Sequence, residues 1–152
     1  MQTTNLTVVP APATNPQIVA LQEVLSRTVD ARAGFDAMVD KAAPGFRSTA
    51  LKFRETHYQH TDRLAAILTA LGAEPDTDGG VMATVNKAAV VTRSLFEEID
   101  ADVMGSIREN EAEVLNGFDA ALTYLPEGHH HRDVSAMRGE LQDLLDDTRQ
   151  IG

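Results

Sequence analysis

The stretch Ile107–Leu125, IRENEAEVLNGFDAALTYL, constrains the fold more than any other part of the chain. Ile107, Val114, Leu115, Phe118, Leu122 and Leu125 recur at three- and four-residue spacing, which puts them on one face of an α-helix. Glu111 falls in the middle of that apolar face. A carboxylate held there gives up its hydration, so it needs a hydrogen-bonding partner, a cation or a metal. The rest of the fold must cover the stripe and satisfy Glu111.

Three more segments carry the same periodicity. Asn15-Pro16 offers a capping side chain followed by proline at the first helical position. From there Ile18, Leu21, Val24, Leu25, Phe35 and Val39 predict a helix over 16–42, ended by Ala43-Pro44-Gly45. A second helix, 46–71, presents Ala50, Phe53, His57, His60, Leu64, Ile67, Leu68 and Leu71, with Gly72 as its C-terminal cap. The third covers 103–125, adds Met104 to the stripe and takes its caps from Asp100-Ala101-Asp102. The fourth starts within 129–134 and runs to about 150, with Val134, Met137, Leu141, Leu144 and Leu145 inward and Glu140, Asp143 and Asp146 toward solvent.

Between the second and third helices lie the turn-rich GAEPDTDGG and a shorter helical pattern over 81–96. About 30 residues is too long for a hairpin connection in an up-down bundle and fits one long crossover. The expectation is therefore all-α: a four-helix bundle over 16–152 with a long crossover between helices 2 and 3, preceded by a flexible tail over 1–15. The length, 152 residues, suits one domain.

Charge and composition narrow the function. A net charge of −10 argues against nucleic acid and anionic membrane as partners, since both select basic surfaces. The chain has no cysteine, which removes disulfides, thiolate metal sites and thiol chemistry. No apolar run reaches the roughly 18 residues of a membrane span, and the N-terminus lacks the pattern of a secretory signal. We expect a cytoplasmic, bacterial-type protein.

At 100° per residue the inward polar set is Arg32, Asp36, His57, His60, Glu111 and Thr148, spread over four helices, while Glu55 projects to the opposite side. A bundle with such a set invites comparison with carboxylate-bridged di-metal centres. Those need a Glu from each of two helices and a Glu-x-x-His from each of the other two. His57 is preceded at that spacing by Arg54, His60 by His57, His129 by Pro126 and His131 by Gly128. Only His130 has a glutamate there, Glu127, across a Pro-Gly turn, so the motif is absent. Two readings remain: a hydrogen-bonded polar cluster in which Arg32 or a histidine neutralises Glu111, with no cofactor, or a mononuclear iron or zinc site built from His57, His60 and Glu111. The run His129-His130-His131 reads as a solvated helix start. Without cysteine, and with no serine in an elbow or Ser-x-x-Lys context, nucleophilic catalysis has no support.

Short motifs in fixed order link the chain to a family: Ala33-Gly34-Phe35, Leu71-Gly72-Ala73-Glu74-Pro75, Gly79-Gly80-Val81, and Glu111 with Ala120-Ala121-Leu122. On these, residues 17–150 resemble the DUF2383 family of bacterial proteins, related to the PA2169-type proteins of the ferritin-like superfamily. The resemblance implies a ferritin-like four-helix bundle with a stress-associated role. This chain departs from the implied pattern with Arg32 where a glutamate precedes the Gly-Phe pair, and with Thr148 where helix 4 carries a histidine. Both departures remove metal ligands. The expected function is thus a non-catalytic stress-associated or accessory bundle protein, acting through its surface as a homo-oligomer or with a protein partner. The alternative is a metal-binding oxidoreductase or storage protein.

Overall fold

The computed structural model describes residues 15–78 and 99–151, and every described helix falls where the periodicity places it. Helix α1 spans Pro16–Lys41, α2 spans Pro44–Ala70, α3 spans Met104–Tyr124 and α4 spans His129–Asp147, with a 3-10 turn at Ala101–Val103 leading into α3. Among the described residues there is no strand, and the single isolated bridge joins Ala42 to Ile99. The helix expected over 81–96, the Gly79-Gly80-Val81 motif and the tail before Asn15 lie outside the described residues.

Local chemistry sets the helix ends. The Gln17 N–H donates to Asn15 Oδ1 at 2.9 Å, and Pro16 occupies a first-turn position where no amide hydrogen is needed. Helix α1 stops at an extended Ala42, and Ala43 keeps the extended backbone that a residue before proline prefers. At the end of α2, Gly72 adopts φ +85°, the Ala73 N–H reaches the Leu68 carbonyl at 2.9 Å and the Gly72 N–H reaches that of Thr69 at 3.0 Å. This is the paired closure that glycine allows without Cβ strain. Asp100 accepts the Asp102 N–H at 3.0 Å ahead of α3. Helix α4 ends at Asp147, three residues before the expected 150, and the chain continues as turn.

Helix α1 packs on α2 and α3, and α4 packs on α3 and α2, so the four helices form a closed ring with α2 and α3 facing across the core. The cross-links fix the directions. Val24 meets Gly117 and Arg27 reaches the Glu113 carbonyl, so α1 and α3 are antiparallel. Asp119 pairs with Arg138 while Arg108 reaches the Thr148 carbonyl, so α3 and α4 are antiparallel too. Helices α2 and α3 therefore point the same way.

The ends of the stretch joining them are tied to opposite ends of α1. Asp76 exchanges two hydrogen bonds with the Gln22 side chain. Ile99 donates to the Lys41 carbonyl at 3.0 Å and accepts from the Ala43 N–H at 2.8 Å. At 1.5 Å per residue those two anchor points are about 30 Å apart. The core between the helices is built from Leu21, Val24, Leu25, Phe53, Leu64, Leu68, Ile107, Phe118, Met137 and Leu141, all essentially without solvent contact. Among the described residues no helix is long and apolar enough to cross a membrane.

Candidate functional site

His57 on α2 and Glu111 on α3 meet in the centre of this core, with relative exposures of 0% and 1%. The His57 Nε2–H donates to Glu111 Oε1 in a fully buried bond. The Phe35 ring stacks on the imidazole at 5.7 Å between centroids, and itself stacks on Phe53 at 5.0 Å. Thr61 Oγ1 donates to the His57 carbonyl at 2.7 Å, which occupies the hydroxyl within its own helix. Three buried atoms nearby have no partner among the described residues: His57 Nδ1, His60 Nδ1 and Glu111 Oε2. His57 Nδ1 is thus a ring nitrogen left without a hydrogen-bonding partner in the core. Each such buried group costs about 1–3 kcal/mol of lost hydration unless something reaches it.

His60, one turn further along α2, belongs to a second group. Its Nε2 lies 2.9 Å from Glu140 Oε1. Glu140 also takes Arg63 Nη1 at 2.9 Å, and Arg63 reaches Asp133 Oδ1 at 2.6 Å. The Phe118 ring meets His60 edge-on at 5.8 Å. Burial pushes the His60 imidazole below its ordinary pKa, against the opposing pull of the Glu140 hydrogen bond. Burial works to raise the Glu140 carboxyl, but the His60 bond and the Arg63 charge outweigh it and hold the group below the usual carboxylate range. Its helical angle puts Glu140 on the solvent face, where 45% of its side chain is exposed, yet its carboxylate reaches a fully buried histidine. The sequence signal that would have found it is Arg63 on the same face of α2 as His60, a cation that calls for a carboxylate on α4.

The structure thus joins His57 to Glu111 and separates the other expected members. Arg32 does not neutralise Glu111: its guanidinium lies over the Tyr58 ring, 4.7 Å from the centroid. Asp36 accepts the Tyr58 hydroxyl at 2.9 and 3.1 Å and lies 3.9 Å from Arg54. The Asp36 hydrogen bond raises the Tyr58 pKa. These are half-buried or exposed groups on the rim between α1 and α2. The helical angle locates a Cβ, while a long charged side chain carries its head group out to water. Thr148 is buried, but it serves the end of α4: its hydroxyl donates to the Leu145 carbonyl at 2.9 Å and its own carbonyl accepts from Arg108 at 2.6 Å. Glu55 is exposed, as its angle requires, and His129 to His131 form the first turn of α4.

Among the described residues no group of three or more histidine, cysteine, aspartate or glutamate side chains is arranged to hold a metal ion. The ferritin donor set, with its two Glu-x-x-His helices, does not fit the residues present. Beside the pair, a cavity of about 350 Å³ opens between α1 and α3, its lining including Gly34, Phe35, Met38, Ile107, Glu111 and Val114.

Against known proteins, a family model described as "Domain of unknown function (DUF2383)" matches residues 17–124. No curated protein and no solved structure matches the chain.

Proposed function

The chain belongs to the DUF2383 family, and from that premise we propose that it is a non-catalytic, ferritin-like bundle that binds rather than turns over. In this reading the place of a di-metal centre is taken by the His57–Glu111 pair. The connection from α2 to α3 is the long crossover of a ferritin-like topology. The parallel direction of α2 and α3, and the anchoring of Asp76 and Ile99 at opposite ends of α1, support that topology. The observation that carries the functional reading is that Glu111 answers to one partner, the imidazole, in a pocket of apolar side chains. The protein then acts as an accessory or stress-associated factor, as a homo-oligomer or with a protein partner, in the cytoplasm.

The second reading is a metal-binding oxidoreductase or storage protein using His57, His60 and Glu111. What favours it is that the three unpartnered buried atoms belong to those same residues. Metal analysis of protein purified without added metal separates the two. The first reading predicts no stoichiometric ion. One equivalent of iron or zinc that disappears in Glu111→Ala would establish the second.

A further inference from the structure

We propose that α4 is a gate: it leaves the other three helices as a unit, short of global unfolding, and its departure is the route by which solvent and small solutes reach the buried His60. The sequence of α4 gives the helix little support of its own. Its first turn lacks an acidic residue, and its last turn holds Asp146 and Asp147 with no basic one, so the charges at that end oppose the helix dipole. Gly128, in the capping position, has no side chain to hold a first-turn amide, and Gly139 weakens the middle of the helix. By contrast α1 has Asn15 and Pro16 at its start, and α2 closes on Gly72.

Packing adds as little. Among the described residues α4 buries three, Val134, Met137 and Leu141, against ten each in α1 and α2 and seven in α3. What else holds it is a set of half-exposed ion pairs, Asp133 and Glu140 on Arg63 and Arg138 on Asp119, with Arg108 on the Thr148 and Ile151 carbonyls beyond its end. Ion pairs at that exposure are weak and are screened by salt. An element with few buried contacts and solvent-exposed ties opens at lower free energy than the core. The two central histidines feel this differently. His60 Nε2 is bonded to Glu140 of α4, whereas His57, one turn before it on the same helix, is bonded to Glu111 of α3 and stacked on Phe35 of α1. Opening α4 removes the partner of His60 and leaves those of His57 in place.

The test uses the full chain near neutral pH, in urea below the unfolding transition. Amide hydrogen exchange is followed at Met137 and Leu141 and at Leu21, Val24 and Phe118, and histidine modification by diethyl pyrocarbonate is followed by peptide mass spectrometry. The α4 amides should exchange together, at least about tenfold faster than those of α1 and α3, with a shallower urea dependence, and faster again in about 1 M salt. His60 should be modified at a rate that follows the α4 amides, while His57 reacts only at the global rate. Arg63→Gln, which cuts the ties to Asp133 and Glu140, should speed both α4 exchange and His60 modification by about threefold or more. Gly139→Ala, whose added Cβ meets nothing within 4 Å, should slow both by about two- to fivefold. Equal exchange in α1 and α4, equal modification of His57 and His60, or a His60 rate that neither variant moves overturns the gate.

Discussion

At the scale of single residues, the molecule turns on how Glu111 is satisfied. The carboxylate has one strong buried partner, so removing either member leaves the other stranded in a low-dielectric core. Glu111→Ala should lower the unfolding free energy by about 1–3 kcal/mol, read from urea denaturation. Glu111→Gln, whose amide oxygen still accepts the Nε2–H bond, should lose less. A harmless alanine would mean that His57 and Glu111 do not depend on each other.

His60 makes a pH-dependent prediction. Its imidazole is held below its ordinary value of about 6.5, so between the two values the unfolded chain binds more protons than the folded one. The stability this contributes is present in full above pH 6.5 and is lost as pH falls through the folded value. Glu140, also depressed, adds a loss of the same sign at lower pH, below the ordinary carboxylate range. The urea midpoint should therefore fall from pH 7 to pH 5, and His60→Gln should flatten that part of the profile. An unchanged slope in the variant would show that another group titrates there.

At the scale of elements, the helices were legible because their apolar stripes run for about three turns or more and their ends carry distinct chemistry. Asn15-Pro16 and Gly72 do in the structure what their residue types predict. The same stripes placed His57 and Glu111 correctly, since both lie near the centre of a face where there is nowhere but the core to point. Arg32 and Asp36 turn their head groups to the rim instead of the core because they lie at stripe edges, where side-chain length decides and Cβ direction does not. Which side chain on one helix finds which on another is a tertiary fact. Helical angle alone left Arg32 and a histidine equal candidates for Glu111, and only the packing of α2 across from α3 chooses His57.

Two glycines test the packing of α1 on α3. At Gly117 a Cβ would lie 3.1 Å from Val24 Cβ and Cγ2 and 3.3 Å from its Cα, and Val24 is wholly buried. The backbone atom cannot swing aside, so the overpacking penalty should exceed the helix-propensity gain, and Gly117→Ala should net a loss of about 0.5–2 kcal/mol. Gly34 faces open space on the same pair of helices, so Gly34→Ala should gain about 0.5–1 kcal/mol. Denaturation curves of the two variants should move in opposite directions. A gain at both positions would mean that α1 and α3 are not in close contact at Val24.

At the scale of the whole molecule, the polar groups of the bundle are organised as separate partnerships. His57–Glu111 sits at the centre, His60–Glu140–Arg63–Asp133 between α2 and α4, and Arg32–Tyr58–Asp36 on the rim between α1 and α2. Helices α2 and α3 run parallel and face each other across the core at His57 and Glu111. That the gap was too long for a hairpin was visible in the chain. The directions of the helices at its two ends were not, because they are fixed by pairings such as Val24 on Gly117, Arg27 on the Glu113 carbonyl and Asp119 with Arg138, contacts no local pattern encodes.

The central claim, that Glu111 is completed by an imidazole rather than by a metal, is tested most directly by nitrogen-15 NMR of the histidine side chains before and after addition of zinc. The expected result is a His57 ring carrying hydrogen at Nε2, bonded to Glu111, and resonances that zinc leaves in place. A His57 nitrogen that loses its hydrogen and moves to a metal-bound position at one equivalent, and returns when a chelator is added, would contradict it.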